Sequence, residues 1–179
     1  RSGNISSRVE DGMLITPSGL AYSFLKSSDI VHVYNDGTVV DERQFPSTEW
    51  HFHLALYNAR SDIHAIVHSH SLHATVLACA EKNIPAFHYM VASAGGLEIP
   101  LVPYALFGTE DLAQKVVHGL RHLNACLLSH HGQIAVGDSL DAAFELAQEV
   151  EVLSEQYTKV LALGSPRLLS ESDMKIVLD

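Results

Sequence analysis

His64-Ala65-Ile66-Val67-His68-Ser69-His70 is the stretch from which the rest of the chain is read. Taken as a strand it alternates, so His64, Ile66, His68 and His70 share one face. His68 and His70 then stand about 6.6 Å apart along the strand. Two imidazoles leaning inward from that separation can share one ion at Zn–N distances of about 2.0–2.1 Å. The plain alternative is a pair of ordinary histidines on a wet strand face, and a two-ligand motif alone does not decide between them. The remainder of the chain has to supply the company.

The 179 residues suit one domain with ample apolar material for a core. A hydrophobic content of 47% is that of a water-soluble globular protein, and no apolar run reaches the ~20 residues needed to span a bilayer. No secretory signal opens the sequence, and the start at Arg1 suggests that the natural N-terminus lies upstream. The formal charge of −10, from 21 acidic and 11 basic residues, disfavours nucleic acid and anionic membranes as partners. An anionic substrate has to be held by local donors or a metal against that field. Cys79 and Cys126 lie in apolar segments and read as small buried hydrophobes in a reducing, cytoplasmic setting.

Gly3-Asn4-Ile5-Ser6-Ser7-Arg8 opens with a residue free to take positive φ, followed by small polar donors. Met13 to Thr16 reads as a short strand running into the turn Thr16-Pro17-Ser18-Gly19. Ile30 to Tyr34 and Thr38 to Val40 read as a hairpin around Asn35-Asp36-Gly37. Pro46-Ser47-Thr48-Glu49 starts a helix in which Trp50, His53, Leu54 and Tyr57 recur at helical spacing. Ser71 is expected to cap a helix to Glu81, and Pro85 to stop it. Residues 86–107 are mixed, with a Gly95-Gly96 turn. Thr109 caps a helix over about Glu110 to Leu123. Ala125 to Ser129 and Gln133 to Val136 are strands joined by His130-His131-Gly132. Asp138 is expected to cap the longest helix, with Leu140, Phe144, Leu146, Ala147, Val150, Leu153, Tyr157 and Leu161 on its apolar side and Gly164 and Pro166 ending it. A last helix occupies Ser170 to Asp179.

A catalytic zinc takes three protein ligands and keeps one position open. His131, in a tight turn between two apolar strands beside a glycine, fits as the third ligand; its plain alternative is a hydrogen-bonded turn histidine. The nitrogen ligands suit zinc, with manganese, cobalt or nickel left open by ligand type. Glu49 is the candidate base. Its plain role would be to complement the helix dipole. Ser47 and Thr48 with free backbone N–H groups form an anion cradle beside it, and Asn4, Ser18 and Gly19 have the same neutral-donor character that an acidic protein needs to hold phosphate.

Gly3-Asn4-Ile5-Ser6, Ile15-Thr16-Pro17-Ser18-Gly19, Pro46-Ser47-Thr48-Glu49-Trp50, His68-Ser69-His70 and His130-His131-Gly132 occur in the order found in class II aldolases, and the chain resembles the class II aldolase/adducin family over nearly its whole length. Asp11-Gly12-Met13-Leu14-Ile15-Thr16-Pro17, His88-Tyr89-Met90 and Glu149-Val150-Glu151-Val152-Leu153 bring it nearest the fuculose-phosphate-cleaving branch.

The resemblance implies an α/β fold: a three-layer α/β/α domain over residues 1–179 with a mostly antiparallel central sheet. It implies one Zn2+ per subunit held by His68, His70 and His131, with Glu49 as a displaceable fourth ligand and acid/base. It implies a phosphate pocket of Gly3, Asn4, Ser18, Gly19, Ser47 and Thr48, and an aldehyde site lined by Phe107. It further implies a homotetramer in which Tyr89 reaches a neighbouring subunit's site. The expected reaction is cleavage of a ketose 1-phosphate to dihydroxyacetone phosphate and lactaldehyde through a metal-stabilised enediolate. The family's helix before Gly3 and its aromatic C-terminal tail are expected to lie outside this sequence. The rivals are a ribulose-phosphate 4-epimerase, whose pattern resembles this one with aspartate at position 49, a pentulose-phosphate aldolase, and a metal-free scaffold of the same fold. No nucleotide-binding motif is visible, and no lysine stands in a motif for imine formation.

Overall fold

The computed structural model describes residues 2–39 and 45–179. Strands β1 (Asn4–Val9), β2 (Gly12–Ile15), β3 (Val31–Tyr34), β4 (Ala65–Ser69), β5 (Ile84–Pro85), β6 (Glu98–Ile99), β7 (Leu101–Val102), β8 (Ala125–Leu128) and β9 (Gly132–Gly137) accompany helices α1 (Trp50–Ala59), α2 (Leu72–Cys79), α3 (Glu110–Gly119), α4 (Leu140–Leu163) and α5 (Glu171–Leu178). Among the described residues the main sheet has the order β3-β2-β1-β4-β9-β8-β7. Every neighbouring pair is antiparallel except β7–β8. The sheet is therefore mixed, with the mostly antiparallel character expected.

Period-2 alternation sorts the strands between two cores. Ile66, Ile134, Val136, Cys126 and Leu128 face α1 and α3, where they meet Phe52, Leu56 and Val116. Ala65, Val67, Ala125, Leu127 and Ala135 face α2 and α4. Alanines on both sides of that second contact, with Ala74, Ala78, Ala143 and Ala147 from the helices, let the backbones approach closely. Each fully buried large side chain such as Phe52 or Leu56 contributes about 1.5–3 kcal/mol. The result is helix, sheet and helix in three layers.

β1, which the sequence marked only by its glycine and small polar donors, is a strand paired on both edges. Its Asn4 and Ser6 are buried because they are hydrogen-bonded, a condition that hydropathy does not reveal. The Asn35–Gly37 turn forms as expected, with Gly37 at φ 86° and Tyr34 N–H donating to Thr38 O at 2.8 Å; Val40 lies outside the described residues.

Several helix ends differ from expectation. α1 begins at Trp50 with Glu49 as its N-cap residue, so Glu49 stands one position before the first turn. Ser71 is the N-cap of α2 but its hydroxyl accepts from Gln133; the Glu151 carboxylate instead takes the N–H groups of His73 (2.9 Å) and Ala74 (3.0 Å). α2 has ended by Glu81, which adopts φ 52°, well before Pro85. Ser139, not Asp138, caps α4 by accepting from Ala142 N–H at 3.2 Å. Leu140 and Phe144, expected on the apolar side of α4, are exposed; its buried face runs through Ala143, Ala147, Val150, Leu153 and Tyr157. α3 stops at Gly119, short of Leu123. Cys126 is buried as expected, whereas Cys79 is exposed at the end of α2, and both are free. No helix among the described residues is long and apolar enough to cross a membrane.

Candidate active site

The histidine strand lies at the centre of the sheet, between β1 (Asn4↔His68) and β9 (His68↔Ile134). His68 is buried, and its Nδ1–H donates to the Gln133 carbonyl at 2.8 Å, which leaves the Nε2 lone pair pointing away from the strand. His131 enters from the β8–β9 turn. His130 takes φ 54° there, and His131 N–H closes on Leu128 O at 3.0 Å. Gly132 follows because its Cα faces the Ser69 carbonyl, against which any Cβ would collide. This close approach brings His131 beside His70. The three imidazoles stand nearly equidistant, with centroid separations of 4.9 Å (His68–His70), 4.8 Å (His68–His131) and 4.7 Å (His70–His131).

Glu49 completes the cluster. One donor atom from each of Glu49, His68, His70 and His131 lies within 4.8 Å of the others. Glu49 Oε2 is 3.2 Å from His68 Nε2, and Oε1 is 3.1 Å from His131 Nε2. The helix-dipole role is not what this carboxylate performs: it makes no capping hydrogen bond and turns instead toward the imidazoles. Burial pushes its carboxyl pKa up, but hydrogen bonds and positive charge from His131 and His68 outweigh burial and leave it well below the usual range. His70 is pushed down to about 4 by burial and then by repulsion from His68 and His131. The Nε2 atoms of His68 and His70 face each other at 3.0 Å, nitrogen against nitrogen, beside the buried Glu49 carboxylate. Three imidazole nitrogens and a carboxylate aimed at one point, with two ring nitrogens set against each other, fit a divalent cation.

Glu49, His70 and His131 line a cavity of about 400 Å³, and His68 is buried beside them. Gly3, Asn4, Ser18, Gly19, Ser47 and Thr48 all line it beside Glu49, His70 and His131. Gly3 adopts φ 85° where a Cβ would stand 2.5 Å from the His68 carbonyl, so the loop before β1 can press against the histidine strand. Asn4 borders the cavity, but its amide is turned inward, donating to Ser47 Oγ at 2.8 Å and Glu49 Oε2 at 2.9 Å. Phe107 reaches the same cavity, next to Gly108, whose φ of 72° folds the segment against Thr48. Tyr89 is exposed and stacks on His88 at 4.8 Å; it does not line this cavity.

Sequence reading missed the apolar wall of Leu20, Tyr22, Leu25 and Tyr104, and His130 at the rim. It also missed the partners behind Glu49. His53, wholly buried, lies 2.5 Å from Asn4 Oδ1, and Ser6 Oγ links His53 Nδ1 (2.7 Å) to Tyr57 OH (2.8 Å). The available signal was the four-residue spacing of Glu49, His53 and Tyr57 on one helix.

Comparison with known proteins agrees with this geometry. The sequence profile of the Class II Aldolase and Adducin N-terminal domain matches residues 1–158. The chain is 49% identical to the L-fuculose phosphate aldolase of Haemophilus influenzae over 178 residues, covering 99% of this chain and 82% of that protein. It is 47% identical to a 5-methylthioribulose-1-phosphate/5-deoxyribulose-1-phosphate aldolase of Rhodospirillum rubrum, covering 99% and 80%. A solved L-fuculose 1-phosphate aldolase superposes with a TM-score of 0.95 at 38% identity, covering 99% of this chain and 84% of that one. With the histidine cluster, the carboxylate and the fold all in agreement, this chain belongs to the class II aldolase and adducin family and is a lyase of its aldolase branch.

Proposed function

We propose that residues 1–179 form one zinc-dependent aldolase domain that cleaves L-fuculose 1-phosphate, or a close ketose 1-phosphate, to dihydroxyacetone phosphate and L-lactaldehyde. The observation that carries the reading is the Glu49 carboxylate directed into three imidazoles beside a cavity whose other wall is built from glycines and hydroxyls. The similarity to L-fuculose phosphate aldolases supports the substrate.

Held by His68, His70, His131 and Glu49, a zinc ion would supply Lewis-acid polarisation of the substrate carbonyl. Gly3, Asn4, Ser18, Gly19, Ser47 and Thr48 anchor the phosphate. Ser47 Oγ already accepts from Asn4 and, at 3.4 Å, from the Glu49 amide, so its own proton is what it has left to give a ligand. In cleavage the C4 hydroxyl gives up its proton as the C3–C4 bond breaks and the aldehyde forms, and C3 takes a proton through Glu49, which draws it from water, to become the hydroxymethyl carbon of dihydroxyacetone phosphate. In condensation the Glu49 carboxylate removes that same proton, a task suited to a group held ionised. Phe107 flanks the aldehyde. Tyr89, exposed and away from its own chain's cavity, serves a neighbouring subunit of a homotetramer, exchanging the proton of the aldehyde oxygen. The enzyme works in the cytoplasm.

A second reading takes 5-methylthioribulose or 5-deoxyribulose 1-phosphate as substrate. It is favoured by the Rhodospirillum rubrum relative and by the apolar wall of Leu20, Tyr22 and Leu25, which would accept an alkyl or methylthio group. Measuring dihydroxyacetone phosphate release from a panel of ketose 1-phosphates decides. The first reading expects kcat/KM for L-fuculose 1-phosphate at least tenfold above the pentulose phosphates; the reverse order establishes the second, and no release from any refutes both.

A further inference from the structure

Behind Glu49 runs a buried ladder of polar side chains drawn from two elements. Glu49, His53 and Tyr57 recur every four residues and so share one face of α1 and its N-cap. Asn4 and Ser6, alternate residues of β1, share one face of the strand and interleave with them. All five are buried.

The donors and acceptors in this ladder can be oriented in only one way. Glu49 Oε2 accepts, so the Asn4 amide nitrogen must face it at 2.9 Å, and Asn4 Oδ1 must face His53. Turning the amide over would set two acceptors against each other at that distance. His53 Nε2 must therefore carry a proton. Burial, followed by the charge of His68, pushes the His53 pKa down to about 3, so the ring is neutral and Nδ1 is an acceptor. Ser6 then donates to Nδ1 and accepts from Tyr57 OH. The chain runs Tyr57 to Ser6 to His53 to Asn4 to Glu49, each group giving a proton toward the carboxylate.

The geometry points to His53 as a positioning residue for Glu49: by donating from Nε2 it fixes the Asn4 amide, which in turn pins Oε2 and leaves Oε1 as the oxygen that exchanges the substrate proton. Oε1 takes no hydrogen bond from this ladder and faces only toward the cluster, 3.1 Å from His131 Nε2. This inference rests on the reading of Glu49 as the acid/base of an aldolase. His53 touches neither the cavity nor the cluster atoms; it acts only through Asn4.

The test is steady-state kinetics with metal analysis of the zinc-loaded protein carrying His53→Phe, His53→Gln or Ser6→Ala. A misplaced base costs about 10- to 100-fold in turnover. H53F should therefore lower kcat by that factor while KM stays within about threefold and bound zinc stays equal to wild type. H53Q, whose amide can donate to Asn4 and accept from Ser6, should recover to within about fivefold of wild type. S6A should show a several-fold fall in kcat at unchanged KM; if H53F does not fold, H53Q and S6A decide. Folded H53F or S6A at wild-type kcat, H53Q no better than H53F, or a loss confined to KM or zinc content would overturn the inference. An inactive wild type would instead remove the aldolase reading and this inference with it.

Discussion

Replacing Glu49 by glutamine tests the proposed chemistry with little change of shape. The side chain keeps its volume and one carbonyl oxygen, so Asn4 can still donate where it now meets Oε2 at 2.9 Å. What disappears is the negative charge between His68 and His131, 3.2 and 3.1 Å away, and the lone pair able to take a carbon-bound proton. Loss of a positioned general base costs about 10²–10⁴ in kcat, or about 2.7–5.5 kcal/mol of transition-state free energy. The three imidazoles remain, so bound zinc should stay near one per chain at saturating metal, held more weakly. Two assays separate the effects: release of dihydroxyacetone phosphate from the preferred ketose phosphate, and NMR of deuterium uptake at the hydroxymethyl carbon of dihydroxyacetone phosphate without aldehyde. The exchange experiment isolates the proton transfer assigned to Glu49. Exchange in E49Q within threefold of wild type at equal zinc content would refute that assignment.

Chelation of the wild type should abolish cleavage and added Zn2+ restore it; His131→Ala should bind well under one zinc per chain and not be restored at micromolar Zn2+, as read by elemental analysis. His53 is pushed down to about 3 in the fold from about 6.5 unfolded, so below pH 6.5 the unfolded chain binds a proton that the folded chain refuses. Stability is therefore fully present above pH 6.5 and falls as the pH drops toward 3, by up to about 1.4 kcal/mol per pH unit from this group. Urea denaturation of metal-free protein at pH 7, 6 and 5 should show that slope reduced in H53Q, and equal slopes would contradict the assignment. Gly3→Ala should cost at least about 1 kcal/mol, because a Cβ at φ 85° would stand 2.5 Å from the His68 carbonyl. Thermal melts and zinc titration should show lower stability and weaker metal binding, and an unchanged melt would contradict the close approach.

How far the site could be read in advance depended on the range over which each feature is determined. The pairing of His68 with His70 follows from local alternation, and their rings do meet, although β4 spans only Ala65–Ser69 and His70 stands just past its end. The positive φ at Gly3, the turn at Gly37 and the capping by Thr109 are likewise local and held. α2 shows the opposite case: its N-terminus is capped by a carboxylate 78 residues from His73 in sequence, so nothing near Ser71 announced it. At α4, Asp138 and Ser139 are both good caps, and packing chose the second.

The amino-acid order alone therefore determined which side chains could serve as ligands, base and anion cradle, because residue type, strand alternation and turn chemistry act within a few bonds of the residue concerned. Only the tertiary structure decided that they meet. β1 inserts between β2 and β4, β9 lies on the other side of β4, and the bare Cα of Gly132 lets the β8–β9 turn close over Ser69. Those placements follow from burying two apolar faces of one sheet, a global condition that no short-range period encodes. The same condition buried Asn4, Ser6 and His53, whose polarity is tolerated in the core because each hydrogen-bonds the next.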